Sequence, residues 1–343
     1  MSIKRFFSVL TIALAWLYFG CNSDNVATTN EKDTAMIGTT GDPAIDGLTR
    51  QIQAMPNDAG LYGARGQLFY DNKVYDEAIT DLTKAIRLDS TNADYYHVLA
   101  DVYLEYSRSR LGLKTMEAAA KQFPKRIPTL LKLAEIQLIL QKNDESLRTI
   151  GEVLKIDPQS GDAFFLMGNN FKEKKDIERA INSFQTAVEN DPDLIDAWLN
   201  LGRLFTERNN PIAEQYFNSA VRVDSSNIEA LHAKAYYLGN IKDDLDGALD
   251  IYRKIVLLDP YYEEAYFNSG LLYLDKNDLA AAQKQFDLTV KNSPTHIRGY
   301  YYRGLTAELQ GDVETARANY EQALRMYPEY ENAQNRLNGL ISR

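Results

Sequence analysis

A regular spacing of prolines constrains this chain more than any other feature of its sequence. Seven of the ten prolines share one register, and serine takes the two places where proline is missing. The successive steps are 34, 34, 34, 34, 33, 35, 34 and 34 residues. A constant period of this size predicts a solenoid, in which each unit packs on its neighbours along the chain. The register consists of Pro56, Ser90, Pro124, Pro158, Pro192, Ser225, Pro260, Pro294 and Pro328.

Each period predicts two helices of about a dozen residues that pack closely against one another. Place eight of every unit holds Gly or Ala and place twenty holds a small residue, whereas places four and twenty-four hold large apolar side chains. Small side chains allow two helices to approach, and the large ones fill the space beside the contact. Unit five lacks one turn residue and carries Pro211 there, and unit six gains one residue. The units begin at Ala59, Ala93, Ile127, Gly161, Ile195, Ile228, Glu263 and Ile297.

The fourth unit carries the stretch AFFLMGNNFKEKKDIERAINSFQTAVENDP, which resembles the tetratricopeptide repeat motif almost place for place. The resemblance covers residues 59–330 and implies an all-α fold, a right-handed superhelix of about eight helix-turn-helix repeats. Residues 43–58 fall on the register of a preceding half-unit and are predicted to form an N-terminal capping helix. Residues 331–343 are predicted to form a C-terminal capping helix, because the end of a solenoid needs a polar outer face.

The N-terminal residues follow a different pattern. Lys4 and Arg5 precede fifteen uncharged residues, which are too few for an ordinary membrane span of about 20 residues. The pattern is typical of an export signal. The residues YFGC end in Cys21, the single cysteine of the chain, and resemble the lipobox of bacterial lipoproteins. The resemblance implies a signal peptide at 1–20, lipidation of Cys21, and a flexible tether within 21–42. An ordinary secretory signal with a chance cysteine is the alternative.

Composition excludes several classes of function. The formal net charge is −10 and the sequence pI is near 5.0, which argues against a nucleic-acid-binding protein. One cysteine excludes an intramolecular disulfide and a multi-cysteine metal site, and three histidines leave little for metal chemistry. The sequence lacks a nucleophile elbow, a phosphate loop and an HExxH helix. We therefore expect no cofactor, no metal, no catalytic residue and no enzymatic activity.

The tetratricopeptide resemblance implies that places two, five, nine, twelve and thirteen of each first helix face a concave surface. Of these forty positions, thirteen are acidic and three, Lys172, Arg203 and Arg298, are basic. Acids at place thirteen lie near a helix C-terminus, where the helix dipole disfavours them. We therefore predict a binding surface for a basic or extended segment of a protein partner, with a merely solvated face as the alternative. The candidate binding residues are Tyr70, Asp71, Asp101, Glu105, Glu135, Phe165, Glu173, Glu207, Phe267, Asp275 and Tyr301.

The residues at place five argue against two kinds of binding site, a carboxylate clamp and a metal site. No unit has lysine there, so we do not expect the carboxylate clamp that chaperone-binding repeats use. His97 and His232 occupy this place four units apart, so they cannot share a metal and are predicted to line the groove.

The two resemblances together imply a membrane-anchored adaptor that binds proteins in envelope assembly, secretion or cell-wall control. They imply an outer-membrane lipoprotein of a bacterial envelope that faces the periplasm. The alternative is a surface-exposed lipoprotein that captures an external peptide or glycan. The oligomeric state is left open.

Overall fold

A computed structural model describes residues 41–341 of the chain. The described part consists of eighteen α-helices, one π-helical turn and the turns between them, and contains no strand. The predicted all-α superhelix is therefore confirmed. The predicted signal peptide and Cys21 lie outside the described residues. Between residues 41 and 341, no helix is both long enough and apolar enough to cross a bilayer.

The helices alternate between two roles along the chain. The even-numbered helices from α2 to α16 are the first, or A, helices of the units, and the odd-numbered helices from α3 to α17 are the second, or B, helices. Helices α1 and α18 cover the two ends. The bounds are α1 (Pro43–Ala54), α2 (Ala59–Asp71), α3 (Tyr75–Leu88), α4 (Ala93–Glu105), α5 (Ser109–Gln122), α6 (Ile127–Ile139), α7 (Asn143–Ile156), α8 (Gly161–Glu173), α9 (Ile177–Asn190), α10 (Ile195–Glu207), α11 (Ala213–Val223), α12 (Ile228–Tyr237), α13 (Leu245–Leu258), α14 (Glu263–Asp275), α15 (Leu279–Asn292), α16 (Ile297–Leu309), α17 (Val313–Met326) and α18 (Glu331–Ile341).

The stack curves with the A helices inside. Each A helix packs on the B helix of its own unit and on the B helix of the preceding unit. Several neighbouring A helices also contact each other directly, as α6 does with α8 and α10 with α12, whereas no two B helices in residues 41–341 have comparable contact. The A helices therefore line the inner, concave surface, and the residues on that surface belong to several units at once.

Sharp turns within the units depend on one residue with left-handed backbone. Between residues 41 and 341, seven non-glycine residues take this conformation, with φ between 53° and 61°, and Gly311 does so in the last unit. In the first unit the residue is Lys73, after which the Val74 amide donates to the Phe69 carbonyl at 2.8 Å. This bond satisfies a carbonyl that the end of helix α2 would otherwise leave unpaired.

Glycine at place eight lets an aromatic ring lie against the helix backbone. A Cβ atom on Gly168 or Gly202 would lie 2.6 Å from the ring of Phe184 or Phe217, respectively. On Gly270 the corresponding distance, to Phe286 Cε1, would be 2.5 Å. Units two and three have alanine at this place, and their partners at place twenty-four are Met116 and Ile150 instead of a ring. Residue size at the two places is therefore matched across the helix pair in most units, with Ala235 and Tyr252 of unit six and Gly66 and Leu82 of unit one as exceptions.

A row of ion pairs connects successive units along one edge. In each pair the acid lies near the start of a B helix and the base lies at or just beyond the end of the next A helix, which are the ends that the helix dipoles favour. The side chains are mostly exposed, so each pair contributes at most about 1 kcal/mol. The row therefore adds little to the stability of the stack. The pairs are Arg108–Asp76 at 3.5 Å, Lys174–Asp144 at 2.6 Å, Arg208–Glu178 at 2.7 Å, Lys242–Glu214 at 2.9 Å and Lys276–Asp246 at 2.7 Å.

Unit six accommodates its additional residue as a π-helical turn. Helix α12 ends at Tyr237 and continues as the π turn Leu238–Lys242. Gly239 lies in this turn, where a Cβ atom would be 2.8 Å from Leu272 Cδ2. Turns of this kind are rare and are frequently found at functional sites.

We predict that Gly270→Ala destabilises the protein by about 1–3 kcal/mol, because the added methyl group overpacks the Phe286 ring. Phe286→Leu in the Gly270→Ala background should recover part of the lost stability. Urea unfolding followed by circular dichroism measures both effects.

Gly151→Ala is the matched control. Gly151 lies inside α7, and a Cβ atom there meets no atom within 4 Å. This variant should gain about 0.5–1 kcal/mol through helix propensity alone. Equal stability of the Gly270→Ala and Gly151→Ala variants would contradict the packing explanation.

Candidate functional site

A groove of about 370 Å³ opens on the concave surface where α10 and α12 lie side by side. Its lining comes from α10, from α11 behind it, from α12 and from the turn before α14. Since these elements belong to three consecutive units, the groove exists only in the stacked solenoid. The lining residues are Arg203, Thr206, Glu207, Phe217, Glu229, His232, Ala233, Tyr236, Tyr237 and Tyr262.

Aromatic rings form much of the groove. Phe217 is buried, and its ring centroid lies 5.5 Å from that of Tyr237. The His232 ring meets the Tyr262 ring edge-on, with the centroids 5.7 Å apart, and His232 Nδ1 lies 2.7 Å from the Tyr262 hydroxyl oxygen. Tyr236 is 40% exposed. The groove therefore offers aromatic surface that is already in place before any ligand arrives.

Charged groups line the same groove. An Arg203 guanidinium nitrogen lies 2.7 Å from Glu229 Oε1 and forms an ion pair with it. Glu207 is exposed and makes no hydrogen bond or ion pair with the part of the chain that the structure describes. With Arg203 and Glu229 neutralising each other, the carboxylate of Glu207 is the remaining charge of the lining.

Burial sets the protonation of the ring groups. Burial lowers the pKa of His232. The nearby carboxylate of Glu264 acts in the opposite direction, but the effect of burial is larger. The imidazole is therefore neutral at pH 7. Burial also raises the pKa of Tyr262 to about 12, so its hydroxyl stays protonated. Neither ring adds a charge to the groove at neutral pH.

The residues just before helices α6, α14, α16 and α18 also lie on the concave surface, which the sequence analysis missed. Each reaches back over place five of the preceding unit. The pairs of this kind are Arg126 with His97 at 3.3 Å between nitrogens, Tyr262 with His232, His296 with Phe267 at 4.8 Å between ring centroids, and Tyr330 with Tyr301 at 5.2 Å between ring centroids. The 34-residue period could have revealed this position, since it recurs one residue before every A helix.

The predicted acidic residues do not form one uninterrupted stripe. Lys132 Nζ lies 2.6 Å from Asp101 and 3.6 Å from Glu135, so one cation serves both. Lys132 occupies place six, which the prediction did not count. The two oxygens of Glu105 accept hydrogen bonds from the hydroxyls of Tyr70 at 2.7 Å and Tyr75 at 3.2 Å. These carboxylates of units two and three are therefore already engaged within the solenoid, and the acidic binding surface stays a prediction.

The remaining predicted acids lie apart from one another, one to a unit. Asp71 accepts a hydrogen bond from Gln67 at 2.8 Å. Glu173 and Asp275 are exposed on α8 and α14. Of all the predicted binding residues, Glu207 is the one that lines the α10–α12 groove.

The predicted apolar anchors are largely covered by other side chains. Phe267 is 1% exposed, because His296 and the Arg298 guanidinium, 4.7 Å from the ring centroid, lie on it. Phe267 is therefore not exposed on the concave surface in this structure, and its role as a contact residue stays a prediction. Tyr301 is half-buried against Tyr330, and Phe165 is half-buried against Phe184, with centroids 5.9 Å apart.

In residues 41–341 no group of three His, Cys, Asp or Glu side chains could hold a metal ion. His97 contacts Thr129, with His97 Nε2 2.9 Å from Thr129 Oγ1, and His232 contacts Tyr262. Each of these two histidines thus has its own local partner.

Comparisons with known proteins agree with this architecture. A family model described as TPR repeat matches residues 56–105 and 168–207, and one described as tetratricopeptide repeat matches residues 267–331. The crystal structure of the APC/C hetero-tetramer Cut9–Hcn1 is 18% identical and has a TM-score of 0.52, covering 86% of this chain and 58% of that chain. The structure of Pseudomonas aeruginosa pilF is 19% identical, with a TM-score of 0.51, and covers 61% of this chain and 95% of that chain.

The fold and the groove thus define an α-solenoid with a preformed concave surface. The chain is a tetratricopeptide repeat protein. Repeats of this family indicate an adaptor for protein–protein interaction, and the fold generally binds protein partners.

One curated relative corrects the sequence analysis. The human protein O-mannosyl-transferase TMTC3 is 26% identical over 249 residues, which are 70% of this chain and 27% of that relative. The expectation that the chain is not an enzyme was wrong, because a protein named as an enzyme contains a similar stretch. A lack of familiar catalytic motifs in repeats does not exclude enzymatic activity. The chain spans about a quarter of that relative's length.

We predict that His232→Gln flattens the pH dependence of stability between pH 7 and pH 5. The folded-state pKa of His232 lies below the ordinary value of about 6.5, so the unfolded chain binds the proton more readily in this window. The free energy of unfolding therefore falls as the pH drops below about 6.5, and the variant loses this contribution. Urea unfolding at several pH values measures the slope.

His97→Gln is the companion variant. Burial lowers the pKa of His97 as well, and the neighbouring Arg126 adds to the effect. This variant should also flatten the slope, because the sign of the linkage is the same. An unchanged slope in the His232→Gln variant would contradict the assignment.

Proposed function

We propose that this chain is a membrane-anchored adaptor that holds an extended segment of another protein along its concave surface. The observation that supports this most is the α10–α12 groove, which combines aromatic surface, an ion pair and an exposed carboxylate. Central aromatic groups beside charged groups are typical of the residues that dominate protein binding.

The rigidity of the groove favours binding. Its residues lie on helices whose positions are set by the stacking of neighbouring units. A surface that is already in place loses little side-chain and backbone freedom when a partner binds, so more of the contact energy appears as affinity. An extended segment suits this shape, because the concave surface continues across several A helices.

A lipid on Cys21 would anchor the adaptor to a bacterial envelope membrane. The proposed location is the outer membrane, with the protein facing the periplasm. The support is the position of the single cysteine, directly after Gly20 at the end of an uncharged stretch. The polar residues 22–41 would act as a tether with a reach of about 25 Å. Envelope assembly, secretion and cell-wall control are the processes that such an adaptor would serve.

Photocrosslinking tests the adaptor function. We predict that a photoreactive amino acid in place of Tyr236, on the wall of the groove, crosslinks the full chain to a small set of proteins in membranes of a Gram-negative host. The matched position is Glu189, which is exposed on helix α9. Adducts at Tyr236 that are missing at Glu189 support the proposal. The same adducts at both positions, or none at Tyr236, would count against binding through the groove.

Substitution of the single cysteine tests the anchor. We predict that Cys21→Ala abolishes metabolic labelling with palmitate and moves the chain from the membrane fraction to the soluble fraction, because the thiol that carries the lipid is gone. Ser23→Ala, two residues further on, should change neither result. Labelling that persists in the Cys21→Ala variant refutes lipidation at this site.

A further inference from the structure

We propose that the α10–α12 groove receives the side chain of a lysine or arginine from an extended segment of the partner protein. This inference rests on the proposed adaptor function and adds the chemistry of the bound residue. It follows from three properties of the groove, namely its aromatic walls, its residual charge and its size.

The walls suit a long aliphatic stem with a cationic head. Tyr236 and Tyr262 belong to different units and line the same groove, with the Phe217 ring also in its lining. A cation over an aromatic face is attracted by the ring quadrupole, and the methylene groups of lysine and arginine pack well on apolar surface. The neutral imidazole of His232 does not repel such a cation.

The charge of the groove is complementary to one cation. Arg203 and Glu229 are paired with each other, and Glu207 makes no ion pair with any residue that the structure describes. The nearby Lys172 is directed to Asn200, with its Nζ donating to Asn200 Oδ1 at 2.7 Å, and burial lowers its pKa. Glu264 stands behind His232, and its own pKa is lowered by a hydrogen bond with His296, so it remains ionised. The lining residues alone therefore carry one net negative charge, that of Glu207.

The size of the groove limits what can enter. A volume of about 370 Å³ lies at the lower end of the range for small-molecule sites, about 300–1,000 Å³. It has room for one long side chain and its immediate neighbours. An acidic side chain would need Arg203, which is already engaged with Glu229 at 2.7 Å.

Peptide selection on the full chain tests the inference. A phage-displayed library of random peptides is selected on the immobilised protein, and the affinity of a selected peptide is measured by fluorescence polarisation. We expect the binders to share one position that is lysine or arginine. Replacing that residue by glutamine in the peptide should weaken binding about tenfold, as for the loss of a charge-assisted hydrogen bond.

Three exposed positions on the protein sharpen the test. Glu207→Gln should weaken binding of the basic peptide about tenfold, whereas Glu189→Gln, on helix α9 and outside the groove, should leave it unchanged. Arg203→Gln should strengthen binding, because it frees Glu229 for the cation. Circular dichroism establishes that each variant is folded.

The opposite results overturn the inference. Selected peptides without a shared basic position, equal effects of Glu207→Gln and Glu189→Gln, or weaker binding to the Arg203→Gln variant would each refute a cationic side chain in the groove. The last result would indicate an acidic side chain instead. A library that yields no binder refutes it too, while crosslinks at Tyr236 would still support the adaptor function, so the two failures are distinguishable.

Discussion

The close contact between the two helices of each unit is the interaction on which the rest of the structure depends. Gly168, Gly202 and Gly270 lie against the rings of Phe184, Phe217 and Phe286, with no room for a methyl group between them. This contact fixes how each A helix lies on its B helix, and the B helix then carries the next A helix. The curvature of the stack, and with it the concave surface, follows from repeating one contact. The same contact also shapes the groove directly, because Phe217 packs on Gly202 and lines the groove as well.

The groove forms where the repeat is least regular. Unit five lacks a residue in the turn after α10, and unit six gains one that becomes the π turn after α12. Both irregularities lie at the C-terminal ends of the A helices that carry Glu207 and Tyr236. Shifts of one residue at these ends alter how the last turns of α10 and α12 face each other, whereas the N-terminal ends stay on the common register. We infer that the solenoid supplies the framework and that the two departures from it supply the site.

The sequence was sufficient to predict the fold class, because a 34-residue proline register with Gly or Ala at place eight allows few other structures. The sequence was insufficient to predict which residues form the binding site. Counting acids on the first helices overlooked Lys132, which engages Asp101 and Glu135, and Arg126, which bonds to Asp94 at 2.9 Å. Phe267 shares place five with other groove residues, yet it is buried because the next unit places His296 on it. Contacts between units decide exposure here, and a position within one unit does not show them.

The acids at place thirteen have a local explanation that does not require a partner. Glu173, Glu207 and Asp275 are each followed by a base, namely Lys174, Arg208 and Lys276. That base lies at the C-terminal end of its A helix, where the dipole favours it, and pairs with an acid of the preceding unit. The dipole cost of the acid is thereby offset by its neighbour. In units three and eight the base is replaced by Leu140 and Gln310, and place thirteen is then apolar, with Ile139 and Leu309. In units four, five and seven acid and base thus occur together, whereas Asp71 and Glu105 are followed by Asn72 and Tyr106. Glu207 is set apart from the other acids because it lines a groove as well.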